Sequence, residues 1–207
     1  MKQRYFFAIR YLPVDVDACL LAGRCISVLH GFLCRHQVAG GIGVSFPDWT
    51  EASLGNSIAF VCANKALLEH FSKQNYFDIM ASDQLFECTE IHPVSRSCPE
   101  VRFKRNQSIA KCFPGEKRRR LERAKRRAED RGEVFQPVVD VIERRIDPFH
   151  SVLMHSKSTG QQFLLHIQKE LNLCERSDSY GQYGLGTNQQ YLGTVPEFRD
   201  CKTNFFG

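Results

Sequence analysis

The sequence predicts an α+β protein. An N-terminal ferredoxin-like domain of βαββαβ order spans residues 1–94, and a smaller α+β domain over 95–207 carries an arginine-rich helix and a β-hairpin. Three observations predict it. Strand-like and helix-like segments alternate through the first ninety residues in the split βαβ order. The character of the chain turns basic and irregular after Pro93. Further on, two apolar runs flank a Ser/Thr/Gly turn.

Tyr5-Phe6-Phe7-Ala8-Ile9-Arg10-Tyr11 is aromatic-rich, stops at Pro13 and reads as a strand. From about Asp17 to Gln37, Leu20, Leu21, Ile26, Leu29 and Leu33 recur at spacings near three and four, which predicts a helix ended by Gly40-Gly41. Ile42–Phe46 is a short strand halted at Pro47-Asp48, and Ser57–Cys62 (SIAFVC) is a third. Asn64 suits the N-cap of a second helix through Leu67, Leu68 and Phe71. Phe77–Ile91 supplies the fourth strand. Residues 101–112 read as irregular, and a helix follows at about 115–131, since Glu116–Asp130 has no Gly or Pro. Ser151–Ile167 reads as a β-hairpin about Ser156–Gly160, followed by a Gly-rich tail at Tyr183-Gly184-Leu185-Gly186.

Composition narrows the function. Apolar residues make up 43% of the chain, with 16 Phe, which supports a packed interior. No apolar run approaches the roughly 18–20 residues of a bilayer span. Arg10 interrupts the N-terminal apolar run too early for a secretory signal. The expectation is a soluble, cytoplasmic protein that is a monomer when alone and has no membrane partner. Nine scattered cysteines without a CxxC pair read as reduced thiols, with no metal site and no cofactor.

The net charge of +5 is distributed unevenly. Residues 102–131 hold 13 of the 28 Lys and Arg but only four of the 23 acids, a net of +9 that leaves −4 for the rest. Arg120, Arg123 and Arg127 share one helical face, and Arg119, Arg123 and Arg126 a neighbouring one. Arginine bridges phosphates or reads a guanine edge bidentately, so the pattern points to nucleic acid. A solvated helix held by i,i+4 ion pairs is the bland alternative, but four acids cannot balance so many bases. Single-strand reading by sheet aromatics such as Tyr5 and Phe7 fits less well, since SIAFVC lacks the aromatic and basic pattern of such modules.

Metal-free RNA cleavage needs a proton acceptor near neutral pH, for which histidine is suited. The candidates are His30 on the first helix, His155 beside the Ser-rich turn, and His36 near the helix end. The Ser156-Lys157-Ser158-Thr159-Gly160 turn offers hydroxyls and a cation, and Phe163 is placed either to stack on a base or to fill the core.

Several stretches, in order, resemble the type I-F CRISPR-associated endoribonuclease family, which cuts CRISPR precursor RNA within each repeat. They are SVLHGFL (27–33), IGVSFPD (42–48), Arg105-Asn106-Gln107, RRRLER (118–123), SKSTGQQF (156–163) and YGL (183–185). The resemblance implies that the arginine helix, with Arg118, Arg119, Arg120, Arg123, Arg126 and Arg127, lies in the major groove of a repeat hairpin. It implies that Arg105 and Gln107 read base edges low in the stem and that Phe163 stacks on the terminal pair; the turn's own cation, Lys157, is the candidate for phosphate contact, though such turns also occur as ordinary ones. Ser156 would hold the attacking 2′-hydroxyl beside Ser158, and Tyr183 would position the catalytic histidine. Cleavage at the stem base would leave a cyclic phosphate, and the enzyme would stay on its crRNA as a subunit of the type I-F crRNA-guided complex. One position departs: where the family carries its catalytic histidine this chain has Cys34, and His30 stands one turn earlier on the same face. A thiol of ordinary pKa is a poor base, so His30 takes the role here, with His155 next. The departure also leaves open a catalytically inactive hairpin-binding subunit.

Overall fold

The computed structural model of the chain describes residues 2–37, 40–136, 147–156, 160–173, 175–199 and 201. Strand β1 (Tyr5–Tyr11) is followed by helix α1 (Ala18–Arg35), strands β2 (Gly43–Ser45) and β3 (Ser57–Cys62), helices α2 (Lys65–Ser72) and α3 (Asn75–Ser82), and strands β4 (Phe86–Cys88) and β5 (His92–Pro93). These strands form one antiparallel sheet in the order β2-β3-β1-β4, with β5 also paired to β1, which is the ferredoxin-like arrangement. The apolar run of β3 is buried at every residue, as a central strand requires. Asp17 caps α1 by accepting from the Leu20 amide at 2.9 Å, and Asn64 caps α2 by accepting from the Leu67 amide at 3.1 Å.

A second antiparallel sheet has the order β7-β8-β6-β9. It is built from β6 (Glu100–Arg105), β7 (Phe149–His155), β8 (Gln162–Leu173) and β9 (Val195–Pro196). Between β6 and β7 come a 3-10 turn at Gln107–Cys112 and helix α4 (Pro114–Asp130). One core runs through both sheets: Phe7, Phe60 and Phe71 belong to it together with Phe103, Val152 and Leu165.

Several expectations need correction. The fourth strand is only Phe86–Cys88, and Asn75–Ser82 is helical instead. Phe77 packs edge-on against Phe71 at 5.3 Å, so burial on a helical face overrides its local strand propensity. The stretch expected to be irregular contains β6, in which Val101 and Phe103 are buried while Arg102 and Lys104 each reach Glu170 on β8 at 2.9 Å. Helix α1 reaches a mean hydropathy of 1.3 over 18 residues, enough by length and composition to cross a bilayer, yet seven of its residues lie in the core. Cys98 and Cys201, with Cα atoms 5.2 Å apart, are joined as a disulfide, against the expectation of reduced thiols throughout.

Helix α1 meets β7 at backbone contact. A Cβ added to Gly23 would sit 2.5 Å from the carbonyl oxygen of Leu153, and Ser27 one turn on lies 3.9 Å from the sulfur of Met154. Gly31 in the same helix has open space. Gly23→Ala should therefore destabilise the fold by about 1–3 kcal/mol through overpacking. Gly31→Ala should raise stability by about 0.5–1 kcal/mol through helix propensity. Denaturant titration of the two variants measures both signs.

Candidate active site

Strand β7 runs beside α1 in a direction that brings its end to the middle of that helix. Leu153 lies at Gly23 and Met154 at Ser27, so His155 and Ser156 advance toward the turn of α1 that carries His30. From the other side comes the segment after β8. The amide of Val44 donates to the carbonyl of Gly184 at 2.8 Å, and a Cβ on Gly184 would sit 2.6 Å from Val44 and 2.7 Å from Leu29. The φ of +71° there also favours glycine. This seat holds Tyr183 against the first helix.

The Tyr183 ring stacks on His30 at 4.7 Å between centroids, with 25° between planes. The Arg105 guanidinium lies 5.2 Å from the Tyr183 ring centre, and Phe163 meets that ring edge-on at 6.4 Å. Four residues singled out in the sequence thus form one cluster. Nδ1 of His30 lies 3.3 Å from the carbonyl oxygen of Gln182. A carbonyl only accepts, so this contact suits the tautomer that carries its proton on Nδ1, with Nε2 then the acceptor. The sulfur of Cys34 is 3.8 Å from both ring nitrogens. Gln182 carries no signal in the sequence, because only its backbone takes part.

Ser156 closes the β7–β8 turn: its amide donates to Gln161 at 2.9 Å, and its carbonyl accepts from Gly160 at 2.9 Å. Lys157, Ser158 and Thr159 lie outside the described residues, and so does Cys174. His155 is exposed at the end of β7. His36 packs against Phe32 at 4.5 Å and His70 at 4.7 Å.

Beside the cluster, Arg105 and Gln107 carry buried polar atoms with no hydrogen-bond partner among the described residues, Nε of the first and Oε1 of the second. The amide nitrogen of Gln107 donates to the Leu164 carbonyl at 3.4 Å.

Helix α4 stands out from the body. Among its residues only Ala128 is buried, and Arg118, Arg119, Arg120, Arg123, Arg126 and Arg127 are all exposed. Glu116 holds Arg119 at 2.9 Å and Arg123 at 3.6 Å, and Glu122 holds Arg118 at 3.0 Å. Arg120, Arg126 and Arg127 have no ion pair among the described residues. The helix is rooted at Phe113, whose ring meets Phe149 at 6.2 Å and His166 at 5.6 Å. His166 is buried, with Nδ1 at 2.7 Å from the Ser151 hydroxyl.

A model of the family described as CRISPR-associated protein (Cas_Csy4) matches residues 6–198. The chain belongs to this family. The family's activity is endonucleolytic processing of CRISPR repeat RNA. No curated protein matches the sequence significantly. Among solved structures it is similar to Cas6b, at 11% identity over 95% of this chain and 100% of that one, with a TM-score of 0.28. It is similar to a chlorite dismutase homologue, TA0507, at 9% identity over 83% and 80%, also at a TM-score of 0.28. Likenesses this slight decide nothing.

Burial pushes the pKa of His166 below its ordinary value. The unfolded chain therefore takes up this proton first, and stability falls as pH drops below about 6.5 toward the lower folded value. His166→Gln should flatten that part of the stability profile. Thermal melts of both proteins between pH 7.5 and 5 measure the difference.

Proposed function

We propose that the chain is a type I-F crRNA-maturation endoribonuclease that cuts at the base of the repeat hairpin by 2′-hydroxyl attack, without a metal. The observation that carries this reading is the cluster of His30, Tyr183, Arg105 and Phe163 near the root of an exposed polycationic helix. Nε2 of His30 takes the proton from the 2′-hydroxyl of the nucleotide before the cut. The freed oxygen attacks the adjacent phosphorus, and the bond to the 5′-oxygen of the next nucleotide breaks. The products are a 2′,3′-cyclic phosphate upstream and a 5′-hydroxyl downstream, the leaving oxygen taking a proton from water and the His30 imidazolium returning its proton to solvent. Base and nucleophile are organic groups throughout, so no step calls for a Lewis acid.

Each remaining residue has a role in this scheme. Ser156, with Ser158, holds the 2′-hydroxyl in line, and Lys157 meets the phosphate. Tyr183 keeps the His30 ring from turning. Phe163 stacks under the last base pair, Arg105 and Gln107 read base edges low in the stem, and the arginines of α4 follow the groove. The hairpin product stays bound, and the protein enters the type I-F crRNA-guided complex in the cytoplasm. Cys34 at the family's histidine position favours one second reading, a hairpin-binding subunit that does not cut.

A single-turnover assay on repeat RNA in EDTA separates the two. Wild-type protein should cleave, and a 2′-deoxy nucleotide at the cut should stop cleavage while binding survives. His30→Ala should lower the rate by about 10²–10⁴ with little change in affinity. Normal cleavage by that variant removes His30 from the mechanism. No cleavage by the wild type leaves the binding subunit.

Arg119→Ala combined with Arg123→Ala should weaken hairpin binding and lower the salt slope by about one for each phosphate no longer held. Unchanged affinity and slope in filter-binding titrations across salt would remove α4 from the RNA groove.

A further inference from the structure

A second cationic site lies at the opposite end of β6 from Arg105. It is a cleft of about 420 Å³ whose lining includes Lys2, Arg4, Arg96, Cys98, Glu100 and Arg176. Arg4 is 3% exposed; its Nη1 donates to the Thr194 carbonyl at 2.8 Å, and its other terminal nitrogen pairs with Glu100. Its Nε is buried with no hydrogen-bond partner among the described residues. Arg176 donates to the Lys2 carbonyl at 2.7 Å and pairs with Asp178 at 2.9 Å. Glu100 and Asp178 are thus already engaged, while Lys2 and Arg96 are exposed and have no ion pair among the described residues. The Cys98–Cys201 disulfide ties down the short loop that presents Arg96.

Two exposed cations without ion pairs among the described residues, lining one cleft with Arg4 and Arg176, favour an anion with several acceptor oxygens. The position narrows the choice. From Glu100 to Arg105 β6 covers about 17 Å, at 3.3 Å per residue. Helix α4 follows the 3-10 turn beyond Arg105, so the start of that helix and the cleft adjoin opposite ends of β6. A stem lying along α4 would send its unpaired flank the other way, along β6.

We propose that this cleft binds phosphates of the single-stranded RNA flanking the hairpin, an inference that rests on the hairpin reading above. The test uses full-length protein and repeat hairpins blocked by a 2′-deoxy nucleotide at the cut. One is bare, one has a short 5′ extension and one a short 3′ extension. Wild-type protein should bind one extended hairpin about tenfold more tightly than the bare one, with a steeper salt slope. The double variant Lys2→Ala, Arg96→Ala, altered only at exposed side chains, should lose that gain while holding the bare hairpin as the wild type does. Its salt slope on the extended RNA should fall by about 0.7 for each flanking phosphate it no longer neutralises. The extension that responds identifies the strand. An extension that adds nothing in the wild type overturns the proposal, and so does a variant equally weakened on all three RNAs. A protein that binds the bare hairpin but ignores both flanks overturns this inference alone, whereas one that binds no hairpin overturns both readings.

Discussion

Because Gly23 has no side chain, α1 lies against the backbone of β7, and the surroundings of His30 inherit their geometry from that approach. A helix and a strand held at side-chain distance would leave the Ser156 turn and the His30 turn several ångströms farther apart. Gly184 makes the same kind of approach against β2 and the first helix, and so sets the position of the neighbouring Tyr183 on His30. Two absent Cβ atoms thus let three distant stretches of chain converge. Packed interiors yield little to strain, so such an arrangement is specified rather than adjusted on demand.

The electrostatics are built on the reverse principle. Helix α4 carries its Lys and Arg side chains exposed, with four carboxylates of its own to share among them. Exposed ion pairs are worth roughly 0–1 kcal/mol, and like charges one turn apart oppose the helix. Pro114 in the first turn and the packing of Phe113 on Phe149 and His166 support the near end. Along the outer turns Glu116 spreads over Arg119 and Arg123, while Arg120, Arg126 and Arg127 stand unpaired among the described residues. A phosphate backbone would supply along its whole length what the protein supplies only at the root.

How much of this was legible in the sequence depends on the length scale of each signal. The cap at Asn64, the apolar spacing of α1 and the run SIAFVC are local, and they led to the right elements. Strand β6 also alternates, with Val101 and Phe103 inward and Arg102 and Lys104 outward, but its charges masked the period of two. Those charges are neutralised by Glu170, which is far off in sequence and adjacent only across the sheet. Phe77 belongs to a helix because Phe71 and Phe60 await it, and Phe60 on β3 is too far off in sequence for a local window around residue 77 to contain. The link between Cys98 and Cys201 spans 103 residues and has no local signature. Within the site, residue types were readable from the resemblance. The Gln182 carbonyl was not, since any side chain there would offer the same oxygen.

The proposed mechanism puts the base at His30, one helical turn before Cys34, the position at which the resemblance expects it. One turn separates residues 30 and 34, about 5.4 Å along the axis, and both face the same way. The sulfur of Cys34 touches the His30 ring, 3.8 Å from each nitrogen. An imidazole one turn back therefore reaches the same space by leaning along the axis, provided something prevents it from swinging away. Tyr183 stacked on one face and the Gln182 carbonyl on Nδ1 are the two restraints that the proposed mechanism requires. A base confined in this way loses little orientational freedom when substrate arrives, which is where much of the rate gained by a positioned proton acceptor arises. In the proposed mechanism the cysteine fills the neighbouring turn, and the base stands one turn earlier on the same helix face.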